Sequence, residues 1–130
     1  MKRQRISTGS AYEKLVGYSR ALAVGDWVFV SGTTGRDHET GEIPEDVVEQ
    51  TRMCFKTIER ALAEAGSSLA DVVRMRILMV DPADDARVAS VLSEYLKPVG
   101  PALTTTVGAL LDARFKIEID VTALKSPSDA

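Results

Sequence analysis

Residues 46–66 read DVVEQTRMCFKTIERALAEAG, and this segment decides the architecture of the chain. Its apolar side chains recur at intervals of three and four residues, which is typical of a helix that buries one face. The members of this stripe are Val47, Thr51, Cys54, Phe55, Ile58, Leu62 and Ala65. Gly66 follows as a left-handed cap that ends the helix. The sequence therefore predicts a helix over residues 46–65 that packs against a sheet.

Strands are predicted on both sides of this helix. They cover residues 20–24, 27–31, 72–80, 103–109 and 115–124. Gly25-Asp26 forms a hairpin turn between the first two strands, and the last two form a closing pair. A second helix begins at Asp81-Pro82, with the aspartate as cap and the proline in the first turn. Residues 1–16 are predicted to be an irregular polar arm of a single domain that spans residues 1–130.

The predicted order ββαβαββ defines an α+β fold with two helices on one face of a mixed sheet, because strand-helix-strand crossovers are right-handed. If Ile117, Ile119 and Val121 pack under the helices, Glu118 and Asp120 project from the opposite face. That face keeps apolar positions but has no helix to cover it. A half-apolar, uncovered sheet face is typical of a subunit interface.

Composition and charge exclude several classes of function. The chain has 130 residues, 45% of them hydrophobic and 27% charged, which suits one globular domain. Its formal net charge of -3 does not provide the basic field that nucleic-acid binding usually needs. No apolar run is long enough to span a membrane, and no apolar segment follows the basic start at Lys2 to make a signal peptide. The single cysteine, Cys54, fits a reducing cytoplasm.

Several short motifs, spread over residues 17–124, together resemble the YjgF/RidA family of reactive-intermediate deaminases. They are Gly17-Tyr18-Ser19-Arg20-Ala21, Val28-Phe29-Val30-Ser31-Gly32, Gln50-Thr51, the segment at residues 65–73, Pro101-Ala102 and Ile117-Glu118-Ile119. The resemblance implies a chorismate-mutase-like fold, a homotrimer with ligand clefts between subunits, and chemistry without a cofactor.

The resemblance also implies roles for individual residues. Glu118 corresponds to the glutamate that orients the attacking water, because imine hydrolysis needs a group that relieves the water of a proton. Tyr18 corresponds to the tyrosine of the cleft. Ser31 and Gly32 end a strand, where glycine would allow a ligand to approach backbone donors closely. Read without the resemblance, Glu118 is an ordinary solvent-facing glutamate on an alternating strand.

The sequence departs from the family pattern at Leu103. In the family's active deaminases, Pro-Ala is followed by the arginine that grips the substrate carboxylate, and leucine offers no such charge-assisted bond. Thr104 and Thr105 keep hydroxyls that could hold a neutral ligand. Arg20 and Arg76 are cations that could replace the missing one, and the alternative for both is a surface or interface ion pair. The family's helix-borne asparagine and a nearby aromatic fall at Ala89 and Leu92, which makes the predicted pocket more apolar.

Three functions are open at this stage. The first is a cofactor-independent hydrolase of imines or enamines that acts on a substrate without the usual carboxylate. The second is a trimer that binds a small molecule without turnover. The third, the ribonuclease activity sometimes attributed to the family, is disfavoured by the acidic charge and by the lack of a histidine or lysine constellation. The only histidine, His38, does not make a metal site by itself.

Overall fold

The computed structural model describes residues 1–126, and one mixed sheet organises this part of the chain. The strands are β1 Arg3–Ile6, β2 Ala21–Val24, β3 Trp27–Thr34, β4 Val72–Met79, β5 Ala102–Val107 and β6 Ile117–Leu124. The helices are α1 Ala11–Val16, α2 Val47–Glu64 and α3 Asp85–Leu96, with short 3-10 turns at Leu69–Asp71 and Pro82–Asp84. The predicted α+β class is confirmed, with β1 and α1 as additions to the predicted order. Residues 127–130 of the predicted domain lie outside the described residues.

The strand order of the sheet is β1-β2-β3-β6-β4-β5. Strand β6 pairs antiparallel with both β3 and β4, whereas β5 pairs parallel with β4 at the edge. The predicted closing pair of β5 and β6 is therefore wrong. The right-handed β4-α3-β5 crossover sets β5 beside β4, and the chain then returns to insert β6 into the middle of the sheet.

The core lies between the sheet and helices α2 and α3. Residues 117, 119, 121 and 123 of β6 are buried in alternation with partly exposed neighbours, as the sequence predicts. They meet the stripe of α2, in which Phe55, Ile58 and Leu62 are fully buried. Phe55 also stacks on Tyr95 of α3 with ring centroids 4.0 Å apart. One face of β6 is thus fixed beneath the helices, and the other face is left without a helix.

Helix α2 begins and ends where the sequence places its signals. The Asp46 carboxylate accepts hydrogen bonds from the backbone N–H groups of Val48 and Glu49, which are among the unpaired donors of a helix start. Gly66 lies just beyond the end of the helix with φ of +77°, a conformation that glycine adopts without strain. Within residues 1–126, no helix is long and apolar enough to cross a membrane.

The predicted irregular arm at residues 1–16 is wrong. Strand β1 pairs antiparallel with β2, and the polar run after it caps α1 through the Ser10 hydroxyl. The short strand carries the pattern Arg-Gln-Arg-Ile with only Ile6 buried, so alternation gave almost no signal. Its ordering comes from pairing with the free edge of β2, which is a tertiary effect that local composition does not report.

A buried amide ties the start of β6 to α2. Gln50 is fully buried, and its Nε2 donates to the carbonyl oxygens of Pro44 and Arg114 at 2.7 and 2.9 Å. Its Oε1 accepts from the backbone N–H of Lys116 at 2.8 Å. These bonds hold the segment that leads into β6, and therefore contribute to the placement of Glu118 two residues further on.

Candidate functional site

Glu118 and Gly32 meet closely on the face of the sheet opposite α2 and α3. A register shift between Val30 and Thr33 makes a bulge in β3 at Ser31 and Gly32. A Cβ atom added to Gly32 would lie 2.6 Å from Glu118 Oε1. Only glycine leaves room for the carboxylate here. The predicted strand exit at Ser31-Gly32 is thus a bulge within β3, because the strand continues to Thr34.

The Glu118 carboxylate is half-buried, and this burial raises its pKa above the ordinary value for glutamate. The nearby carboxylate of Asp120 raises the pKa further, while the positive charge of Arg20 lowers it. A carboxyl group with a raised pKa holds its proton more strongly than usual, which is the property of an acid-base group. The predicted position of Glu118 on the helix-free face is confirmed.

Arg20 lies beneath this group and is not a surface cation. It is 5% exposed, and its Nη1 donates to Gly32 O at 2.7 Å and to Thr33 Oγ1 at 3.1 Å. Its Nη2 donates to the Tyr18 hydroxyl at 3.2 Å. The structure therefore brings together Tyr18, Gly32, Arg20 and Glu118. The guanidinium is engaged by protein groups and does not stand open to a ligand as a replacement grip.

The partner of Arg20 was missed by sequence reasoning. Glu13 is 2% exposed, and its Oε2 lies 3.6 Å from Arg20 Nε. The Ser7 and Thr8 hydroxyls donate to the same carboxylate at 2.8 and 2.6 Å. A signal was present, because Ser10 and Glu13 have the spacing of a capping box at the start of α1.

Arg76 is the second predicted cation, and it lies on the same face as Glu118. Its Nε donates to Asp120 Oδ1 at 3.0 Å, and its side chain is 63% exposed. Arg76 and Asp120 line a groove of about 200 Å³. The other residues of its wall include Phe29, Ser31, Gly32 and Thr122. The alternative interpretation of Arg76 as half of an exposed ion pair is therefore the one that describes this chain.

Leu103 and Thr105 do not join this group within one chain. In the β4–β5 register they align with Met75 and Ile77, which face the helices, whereas Glu118 aligns with Leu78 on the other face. Thr104 shares the Glu118 side of the sheet, but β4 separates it from β6 by two strand spacings, about 10 Å. Leu103 is 45% exposed at the sheet edge.

Ala89 and Leu92, the two α3 positions where the family has an asparagine and an aromatic residue, differ in burial. Ala89 is exposed on α3, as a position open to a cleft would be. Leu92 is 9% exposed and belongs to the hydrophobic core. Leu92 therefore belongs to the packing of the core, and an apolar lining at Ala89 stays a prediction.

The other titratable candidates do not lie in this site. Burial and the positive charge of Arg20 lower the pKa of His38, which stands in the loop after β3. Cys54 is buried in α2, where desolvation raises the pKa of its thiol and its Sγ donates to Thr33 O at 3.3 Å. Among residues 1–126 no group of three His, Cys, Asp or Glu side chains has the geometry to hold a metal ion.

The fold and this site define an α+β domain with a carboxylate on a helix-free sheet face, and sequence comparison gives its family. The sequence model of the family described as endoribonuclease L-PSP matches residues 8–125. The chain is 36% identical over 126 residues to a RutC family protein of Pyrococcus abyssi, covering 96% of this chain and 99% of that protein. It is 30% identical to the 2-iminobutanoate/2-iminopropanoate deaminase of Capra hircus, covering 96% of this chain and 92% of the relative.

Solved structures agree with the sequence comparison. A YjgF/YER057c/UK114 family member from Mycobacterium tuberculosis superimposes with a TM-score of 0.87 at 36% identity, covering 95% of this chain and 99% of that one. TdcF of Escherichia coli, solved with bound serine, gives a TM-score of 0.79 at 28% identity, covering 84% and 88%. The chain belongs to the YjgF/RidA family, and the resemblance seen in its motifs is confirmed.

We expect Gly32→Ala to disturb the site without unfolding the protein. The new methyl group would meet the mobile end of the Glu118 side chain, so the carboxylate moves while the backbone stays. The free energy of unfolding in urea should stay within about 1 kcal/mol of wild type. The pKa of Glu118, followed by NMR titration, should change. Ser90→Ala on the exposed surface of α3 is the control, since it leaves the bulge and the neighbours of Glu118 unchanged. A Glu118 titration curve that is identical in wild type and Gly32→Ala would contradict the close approach.

Proposed function

We propose that the protein is a cofactor-independent hydrolase of imines or enamines, in which Glu118 handles the water. The observation that carries the proposal is the Glu118 carboxylate, half-buried on the Gly32 bulge with a raised pKa. The names of its relatives support the reaction class, since two of them are called 2-iminobutanoate/2-iminopropanoate deaminase. The family name endoribonuclease is less suited to a chain with net charge -3.

The reaction needs one proton acceptor and no redox step. Water adds through its oxygen to the imine carbon, and Glu118 takes the proton that the water loses. Glu118 passes this proton to the imine nitrogen, which gives a neutral carbinolamine. Glu118 then takes the proton of the carbinolamine hydroxyl and delivers it to the amino group, which leaves as ammonia. A carbonyl product remains, Glu118 is again ionised, and atoms and charges balance. In this scheme the Tyr18 hydroxyl, which accepts a hydrogen bond from Arg20 Nη2, and the bulge at Gly32 would orient the ligand.

We propose that the complete site forms between copies of the chain. Within one chain, Leu103 and Thr105 face away from Glu118 on a strand two places along the sheet. Strand β5 is exposed along its whole length, including the apolar Leu103 and Val107. The helix-free face also leaves Trp27 and Phe29 exposed, stacked with centroids 6.4 Å apart. A second copy would cover these surfaces and bring the β5 residues to Glu118, so a homotrimer with shared clefts fits them.

A second candidate is a trimer that binds a small molecule without turnover. Leu103 favours it, because this position offers an apolar contact in place of a charged grip. If the protein is a hydrolase, Leu103 restricts its substrates to imines or enamines without a carboxylate where the ligand contacts residue 103. Thr104 and Thr105 provide hydroxyls for neutral groups.

We expect a homotrimer in solution. Sedimentation equilibrium at micromolar concentration should give three times the 14.1 kDa mass of the chain, because the uncovered sheet face needs a partner. A stable monomer under these conditions would remove both the trimer and the shared cleft.

We expect little deamination of 2-imino acids by the wild-type protein. Two lost charge-assisted hydrogen bonds, each worth about 1.5–3 kcal/mol, should slow the reaction roughly 100-fold or more against an arginine-bearing relative. The assay generates imines with an amino-acid oxidase and follows their decay. Leu103→Arg should recover part of the rate, and Leu103→Met, which keeps an uncharged apolar side chain at the same position, should not. A wild-type rate equal to that of the relative would show that another group binds the carboxylate.

We expect Glu118→Gln to keep the fold and to lose most of any imine turnover. Loss of a general base typically removes roughly 10²–10⁴-fold in rate. A raised pKa means that ionisation of Glu118 costs folded-state stability as pH rises through that pKa, so the amide should be neutral or slightly stabilising at pH 7. The wild-type rate should rise with pH through the same pKa, as the carboxylate loses its proton. Turnover that survives Glu118→Gln unchanged would favour the binding function.

A further inference from the structure

A buried ion pair contacts the residues of the site. Glu13 and Arg20 are 2% and 5% exposed, with 3.6 Å between Glu13 Oε2 and Arg20 Nε. Such a pair seldom stabilises a fold more than apolar side chains of the same volume would, because desolvation offsets the attraction. Among the described residues, Arg20 Nε is also a buried nitrogen without a hydrogen-bond partner. A gain in stability therefore does not explain why Glu13 and Arg20 are buried together here.

Arg20 joins the pair to the site through three hydrogen bonds. Nη1 donates to the carbonyl oxygen of Gly32 and to the hydroxyl of Thr33, and Nη2 donates to the Tyr18 hydroxyl. Gly32 forms the bulge on which the Glu118 carboxylate rests. Because a guanidinium is planar and rigid, it fixes these groups relative to one another.

Glu13 holds the same assembly from the other side. Its carboxylate is fixed by the hydroxyls of Ser7 and Thr8, so it orients the Arg20 guanidinium. Its backbone carbonyl accepts the N–H groups of Gly17 and Tyr18 at 2.8 and 3.1 Å. The backbone of Tyr18 is thus tied to Glu13, while the Tyr18 hydroxyl is tied to Arg20.

We propose that Glu13 and Arg20 are positioning residues of this site: they hold the Tyr18 hydroxyl and the Gly32 bulge in place and keep a fixed positive charge behind Glu118. The effect of the pair on catalysis rests on the proposed function, whereas the hydrogen bonds of Glu13 and Arg20 are independent of it. The charged groups that act on Glu118 are Asp120, which raises its pKa, and Arg20, which opposes that rise. Arg20 therefore favours the ionised carboxylate that a general base requires.

The test uses four variants of the full chain. Arg20→Gln removes the cation, and Arg20→Lys keeps a charge but loses the planar fork. Glu13→Gln with Arg20→Gln removes both charges and avoids leaving one unpaired in the interior. Arg52→Gln is the matched control, because Arg52 pairs with Glu94 at 2.9 Å on the exposed surface of α2 and α3.

The main measurement is an NMR titration of the Glu118 carboxyl carbon, which needs no substrate. The Glu118 pKa should rise in Arg20→Gln and in the double variant, and should stay near wild type in Arg20→Lys and Arg52→Gln. Where an imine is turned over, kcat should fall roughly 10–100-fold in Arg20→Gln and also in Arg20→Lys, since misplaced groups lose rate even when the charge is kept. The control should retain its rate.

Three results would overturn the proposal. One is a folded double variant whose Glu118 titration and Tyr18 ring signals match wild type. Another is an equal effect of Arg52→Gln on the Glu118 titration. The third is failure of the double variant to fold, which would assign the pair to the fold itself. A wild-type protein without turnover would refute the proposed hydrolase alone, because the titration still decides the role of Glu13 and Arg20.

Discussion

The insertion of β6 between β3 and β4 is the constraint on which the rest of the structure depends. One face of this strand is sealed under α2 by residues with essentially no exposure, among them Ile117 and Ile119. Because side chains alternate along a strand, sealing that face leaves Glu118 and Asp120 on the face without helices. The Gln50 amide fixes the entry to β6 from within α2. A one-residue slip of β6 would invert its two faces, and it would break the two hydrogen bonds that join Gln50 to Arg114 and Lys116.

The chemistry of the site follows from this placement and from one local irregularity. A regular β3 would set a side chain against β6 where the Glu118 carboxylate now rests. The bulge at Ser31 and Gly32 adds one residue to β3, and glycine removes the Cβ that would collide with the carboxylate. Glu118 is consequently half-buried instead of solvated, and burial is the largest influence on its raised pKa.

The sequence predicts the elements that hydrophobic periodicity and helix caps determine. It does not predict strand pairing or burial that depends on segments far away in the chain. Helix α2, its Asp46 and Gly66 ends, and the alternation of β6 are local patterns, so they were found. The position of β6 in the sheet depends on strands far away in the chain, and pairing β5 with β6 was the natural error. Strand β1 and Glu13 were missed because polar residues become ordered there through contacts with β2 and Arg20. The family motifs indicate Glu118 and Tyr18, whereas the burial of Arg20 depends on its hydrogen bonds to Gly32 and Thr33, which lie in β3.

The position of the charges bears on how the proposed hydrolase would work without an arginine at residue 103. An arginine that binds a carboxylate must present free N–H donors to the ligand. The Nη1 and Nη2 atoms of Arg20 instead donate to Gly32, Thr33 and Tyr18. Arg20 is also 5% exposed and its Nε faces Glu13, so its guanidinium has no open donor edge for a ligand carboxylate. Arg76 is likewise engaged by Asp120. The positive charge of Arg20 therefore acts on the protein's own Glu118 carboxylate, whose pKa it lowers. Under the proposed function, selection among ligands would fall to apolar contact and neutral hydrogen bonds, which would favour an uncharged imine or enamine over an imino acid.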